Sequence, residues 1–182
     1  MAKNISTAFK FNERDAKISE HLLMYEDQLN PEAIHYFTKH CDELTNYGYW
    51  FLLSTLWVWA GDVNADLNFW RKLFSSNRPD KEISLMKPDE LKELKSLPNK
   101  LTVYRAPASN ETDGISYTTD LATVIGFAKR HKSKFIFTGH IKKHDITALF
   151  LRRDESELLI LDQNLIHGLK KLSITSVNLE VE

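Results

Sequence analysis

The chain has 182 residues, enough for one domain or one domain with a substantial appendage, and its 42% hydrophobic and 27% charged content excludes a disordered, collagenous or coiled-coil protein. Its formal net charge of −1 singles out no class of partner. A single cysteine, Cys41, excludes an internal disulfide framework and fits a reducing compartment, so a cytoplasmic location is expected.

Met1 to Thr7 lacks the apolar core and small-residue cleavage site of a secretory leader. From Ser19 to Leu29, the apolar residues Leu22, Leu23, Tyr25 and Leu29 recur at helical spacing between acidic ones, which predicts an amphipathic helix. Asn30-Pro31-Glu32 reads as a cap and restart, with proline where a missing N–H costs little. Ile34, Phe37, Cys41 and Leu44 continue on one face until Tyr47-Gly48 breaks the pattern. Tyr49 to Ala60 is apolar nearly all round but only about 12 residues long, short of the roughly 20 that span a bilayer, so it predicts a buried helix and no membrane association. Leu67, Trp70, Leu73 and Phe74 form the apolar face of the next helix, with Arg71 and Lys72 pointing elsewhere. Ser75 to Asp80 reads as loop, and Lys87-Pro88-Asp89-Glu90 opens a short charged helix ending near Leu97-Pro98.

After Pro98 the period changes. Leu101 to Arg105, Lys134 to Ile141, Ile146 to Leu151, Glu157 to Leu161 and Ser173 to Val181 are short, rich in β-branched and aromatic residues, and separated by turn-like pieces. One clear helix interrupts them, from Asp120 to His131, offering Leu121, Val124, Ile125, Phe127 and Ala128 for burial. Most connections are too short for helical crossovers between parallel strands, which makes the class α+β. A helical region over residues 1–98 is expected to pack on a β-rich region over residues 99–182 in one body.

Three short pieces carry chemistry. Glu155 and Glu157 are two apart, so on an extended segment both carboxylates face one side, an arrangement that suits a reaction developing positive charge. Arg105 ends the otherwise apolar Leu101-Thr-Val-Tyr104, where a guanidinium calls for an anion, and its planar fork suits phosphate or carboxylate. Ser116-Tyr117-Thr118 sets two hydroxyls on one face of a strand and an aromatic ring on the other, with Thr119 or Asp120 able to cap the next helix. Each piece alone has an ordinary reading: a charged turn, a solvated strand end, a polar strand.

In order and spacing, Val103-Tyr104-Arg105, Gly114 to Thr119, a helix holding Phe127-Ala128, Asp145 to Phe150 and Glu155-Ser156-Glu157 resemble the R-S-E class of mono-ADP-ribosyltransferases, and more closely its small bacterial and phage-associated members with a helical N-terminal region. The resemblance covers about residues 45 to 162. It implies a β-sandwich of two small sheets with one main helix, and transfer of ADP-ribose from NAD to a nucleophile with loss of nicotinamide. Arg105 would hold NAD through its phosphates or the nicotinamide ribose, Ser116 would position the catalytic acid, and Tyr117, Thr118 and Phe127 would line the NAD site. Glu157 would bind the ribose 2′-hydroxyl and stabilise the oxocarbenium-like cation, with Glu155 facing the acceptor.

In the family the chain resembles, a glutamate at the position of Glu155 goes with arginine as acceptor, since a guanidinium needs an anion to orient it, so the resemblance implies a protein arginine. Lys129 to Arg153 carries eight basic residues against Asp145 alone, and that stretch favours RNA or DNA instead. Water as acceptor would make the protein an NAD glycohydrolase, and a non-catalytic interaction protein of the same fold is the remaining class. The resemblance further implies a toxin in phage–host conflict with a neutralising partner. His131, His140 and His144 lie where strand and loop are expected, not at helical spacing, so no metal is expected. Trp50, Trp57, Trp59 and Trp70 are read as core.

Overall fold

Asn12 opens the first helix through a reciprocal cap: its side chain accepts the Asp15 N–H at 2.9 Å, and the Asp15 carboxylate accepts the Asn12 N–H at 3.3 Å. α1 therefore spans Glu13–Leu23 rather than Ser19 to Leu29. Its inner face is Asp15, Ile18 and Leu22, while Leu23 is largely exposed. The computed structural model describes residues 4–25, 31–60, 67–108, 111–152 and 155–174. Leu29 and the Asn30 cap lie outside them.

After α2 (Pro31–His40) and a 3-10 turn at Cys41–Glu43, α3 runs over Asn46–Ala60. Gly48, expected to break the pattern, lies inside it. A Cβ there would collide with the Asp15 carboxylate, which also accepts the Thr45 N–H at 2.9 Å and its hydroxyl at 2.6 Å. Gly48 thus serves a close approach and not a turn. α3 is buried on nearly all sides, as its composition predicted, and Trp57 meets Trp70 and Phe74 of α4 (Leu67–Phe74) edge-on at 5.1 and 5.7 Å. Burying each such side chain contributes about 2–3 kcal/mol. The Tyr49 hydroxyl donates to the Leu73 carbonyl at 2.9 Å, and burial pushes its pKa up to about 12. α5 (Lys81–Leu85) was not foreseen, whereas α6 (Pro88–Ser96) begins where the proline-acid signal placed it.

Among the described residues six strands follow: β1 (Lys100–Arg105), β2 (Ser116–Thr118), β3 (Phe135–Lys142), β4 (Ala148–Phe150), β5 (Glu157–Leu159) and β6 (His167–Ser173). They form one antiparallel sheet in the order β4-β5-β2-β1-β3-β6. α7 (Leu121–Arg130) is set by Asp120, which accepts the Ala122 N–H at 2.9 Å, and it lays Val124, Ile125 and Ala128 on Ile136. β6 lies ahead of the strand expected from Ser173 to Val181, whose residues 175–181 are outside the described ones.

The resemblance implied two small sheets, whereas the described strands form one six-stranded sheet whose ladder is narrow at one place. β1 pairs β3 from Lys100↔Lys142 to Arg105↔Phe137, yet it meets β2 through the single register pair Tyr104↔Thr118. β2 is only three residues long, so it cannot extend that ladder.

The class is α+β, and the chain divides into two compact units, Met1–Leu91 and Lys92–Glu182. The division falls inside α6, a few residues before the boundary expected at Pro98. Among the described residues no helix is long and apolar enough to cross a membrane.

Candidate functional site

Residues directly opposed in a ladder share a face, so Tyr104, Thr118, Glu157 and Phe150 form one row across β1, β2, β5 and β4. Ser116 lies on the same face as Thr118, two residues away. Its hydroxyl donates to Glu157 Oε1 at 2.6 Å, the short length of a charge-assisted bond. Glu157 is only 8% exposed, and Ser116 lies at the surface above it. A carboxylate held this way strongly favours a neighbouring positive charge, because little water competes for it.

Thr118 is buried, and its Oγ1 accepts the Asp120 N–H at 3.1 Å, joining the end of β2 to the start of α7. Tyr117 takes the other face, buried, and its hydroxyl donates to Gln163 Oε1 at 3.3 Å. The ring thus braces β2 against the turn at Gln163–Leu165. Phe127 stands on α7 beside His131, ring centroids 6.2 Å apart, with the Arg130 guanidinium 5.1 Å above its ring. These ring contacts are with its own helix end. Glu155 is half-buried and precedes β5, so strand alternation does not fix its face; Asp154 and Arg153 lie outside the described residues.

Arg105 is the next residue after Tyr104. By alternation it falls on the face of Leu101 and Val103, opposite to Tyr104, Thr118 and Glu157. With neighbouring strands about 4.8 Å apart, its Cα stands roughly 10 Å from that of Glu157. The Arg105 side chain is only 8% exposed, and its guanidinium forms an ion pair with Glu111 through Nη2. Glu111 Oε2 also accepts the Ala108 N–H at 3.0 Å. Gly114 makes room for this side chain, since a Cβ there would collide with the guanidinium. The structure thus joins Ser116 to Glu157 directly and engages Arg105, on the other face of the sheet, with a different carboxylate.

Glu111 was missed in the sequence, and nothing in its loop distinguished it from Asp113. The signal for Gly114 existed: a glycine just before a strand, near an arginine that needs space. The basic stretch is not one patch, because Lys129 to Lys134 and Lys142-Lys143 stand at opposite ends of β3, about 25 Å apart. The Lys143 ammonium is engaged by the carbonyls of Lys95 and Leu97 at 3.0 and 2.7 Å. His140 faces His167 across β3 and β6 and lies 3.3 Å from Thr102 Oγ1 through Nδ1. Among the described residues no three His, Cys, Asp or Glu side chains converge as metal ligands.

No protein-family model, no curated protein and no solved structure matches the chain.

Proposed function

We propose that residues 92–182 form an NAD-dependent mono-ADP-ribosyltransferase, with the fold variant the resemblance implies, acting on a macromolecular acceptor. The observation that carries this reading is the buried Glu157 carboxylate hydrogen-bonded at 2.6 Å to Ser116 on the neighbouring strand. Arg105 on β1, Ser116 on β2 followed by α7, and Glu157 opening β5 occupy the kinds of element that the resemblance assigns to them.

The C–N bond between ribose and nicotinamide breaks heterolytically, and its electron pair leaves with the nicotinamide. Positive charge gathers on the anomeric carbon and ring oxygen. Glu157 accepts a hydrogen bond from the ribose 2′-hydroxyl and stabilises that charge, and Ser116 holds the carboxylate in one orientation. Arg105 holds the diphosphate. β1 ends at Arg105, so a dinucleotide crossing the strand end meets the guanidinium from one face and the carboxylate from the other. The acceptor attacks the anomeric carbon and loses a proton, with Glu155 orienting it. We take a protein arginine as acceptor. The separation of the basic residues to both ends of β3 weakens the case for RNA or DNA. The biological setting that goes with this reading is a toxin in phage–host conflict.

The test is nicotinamide release from NAD by the full chain, with labelled NAD and cell lysate, followed by protease or nuclease digestion of the product. Protease-sensitive label is expected. Nuclease-sensitive label would select the nucleic-acid acceptor, and NAD loss without labelled macromolecule would select a glycohydrolase. Glu157→Gln should reduce nicotinamide release at least about a thousandfold with the thermal transition retained. Near wild-type turnover by that variant would sink the assignment.

A further inference from the structure

Arg105 is buried but only partly satisfied. Nη2 meets Glu111, while Nη1 is buried with no hydrogen-bond partner among the described residues. A guanidinium is a fork that matches two oxygens of one anion, and a buried charged donor left unmade is costly. Glu111 contacts one amino group through Oε2, which also accepts the Ala108 N–H. Gly114 packs directly against the guanidinium, where a Cβ would collide with Nε, Cζ and Nη2.

We infer that the Glu111 carboxylate is an internal occupant of an anion site made by Arg105 and the Ala108 N–H, and that it competes there with the diphosphate of the substrate. This rests on the reading above for the role of Arg105. In the absence of substrate, Glu111 neutralises a buried cation that would otherwise stand alone. A diphosphate has oxygens enough to meet Nη1 and Nη2 together, whereas Glu111 meets Nη2 through the oxygen it shares with the Ala108 N–H. Occupation by Glu111 therefore lowers substrate affinity without touching the bond-breaking step. The acid acts on KM and not on kcat.

The experiment titrates the full chain with inorganic pyrophosphate by calorimetry at fixed ionic strength. Glu111→Gln keeps the shape and removes the charge, and Glu111→Ala empties the site. Both should bind pyrophosphate about tenfold more tightly than the wild type, and Arg105→Gln should abolish the gain in the double variant. Asp113→Asn removes a neighbouring charge whose carboxylate caps the Gly114 N–H at 2.7 Å, and it should change affinity less than about twofold. Unchanged or weaker binding in Glu111→Gln, or an equal gain in Asp113→Asn, overturns the inference. Thermal melts accompany each variant, and Glu111→Gln carries the result if Glu111→Ala does not fold.

Nicotinamide release separates this inference from the reading it rests on. A gain in pyrophosphate affinity with no nicotinamide release from any form keeps the internal occupant and removes the NAD chemistry. Nicotinamide release by the wild type, with pyrophosphate affinity and KM unchanged in Glu111→Gln, does the reverse.

Discussion

Ser116 decides what the Glu157 carboxylate can do. A buried acid with a fixed hydroxyl partner keeps one orientation, and removing that partner leaves an oxygen to find water or another donor. Ser116→Ala is expected to lower kcat/KM for nicotinamide release about tenfold, at about 1–2 kcal/mol of stability, measured by steady-state kinetics and urea unfolding. If stability fell by this amount while kcat/KM stayed unchanged, Ser116 would be structural only. Gly114→Ala should cost about 1–3 kcal/mol, because the methyl must move a buried guanidinium and not a flexible tail. At this scale the sequence was partly legible. Arg105, Ser116 and Glu157 stood out by residue type and order, but the register that opposes Thr118 to Glu157 is a long-range pairing that no local pattern carries. The pairing of Arg105 with Glu111 was hidden for a similar reason: a loop acid becomes special only through what a strand end brings beside it.

At the scale of the element, α7 shows how far local signals reach. Asp120 and the apolar spacing after it predicted the helix almost to its bounds, because cap and buried face are both encoded within ten residues. The Thr123 hydroxyl at 2.5 Å and the backbone N–H groups of Ala122 and Thr123 hold the Asp120 carboxyl below its ordinary 3.8. A depressed folded pKa means stability that is fully present above the unfolded value and lost as pH falls through the folded one. Asp120→Ala should therefore cost about 1 kcal/mol at neutral pH, and the difference from the wild type should shrink below about pH 3.8, as urea midpoints across that range would show. β6 illustrates the opposite case. As an edge strand, its Lys170 and Lys171 are exposed and Gly168 adopts φ 65°, so it lacks the alternation that marks a half-buried strand. α1 was misplaced because the Asn12-Asp15 box was overlooked in favour of Leu23, which the fold leaves in solvent.

At the scale of the whole molecule, the change of period near Pro98 separated a helical half from a stranded half, while the compact units divide earlier, after Leu91 within α6. What the sequence lacked was the long-range pairing within each. Each unit has its own buried core: Trp50, Leu53, Trp70 and Phe74 in one, Val103, Ile136, Ile141 and Leu159 in the other. Thermal unfolding is therefore expected to depart from two-state behaviour, with the calorimetric enthalpy exceeding the van't Hoff enthalpy. Pyrophosphate should raise only one of the resolved transitions, since Arg105, Ser116 and Glu157 all belong to Lys92–Glu182. A single transition with matching enthalpies would show that the halves unfold together.

Trp50, Trp57, Trp59 and Trp70 all fall within Met1–Leu91. Excitation at the red edge of protein absorption consequently lights one half of the molecule and leaves the half bearing Ser116 and Glu157 dark. Emission can follow the helical half through denaturation without interference from the other, and an indole introduced at Tyr104 would add the first optical signal from beside the carboxylate.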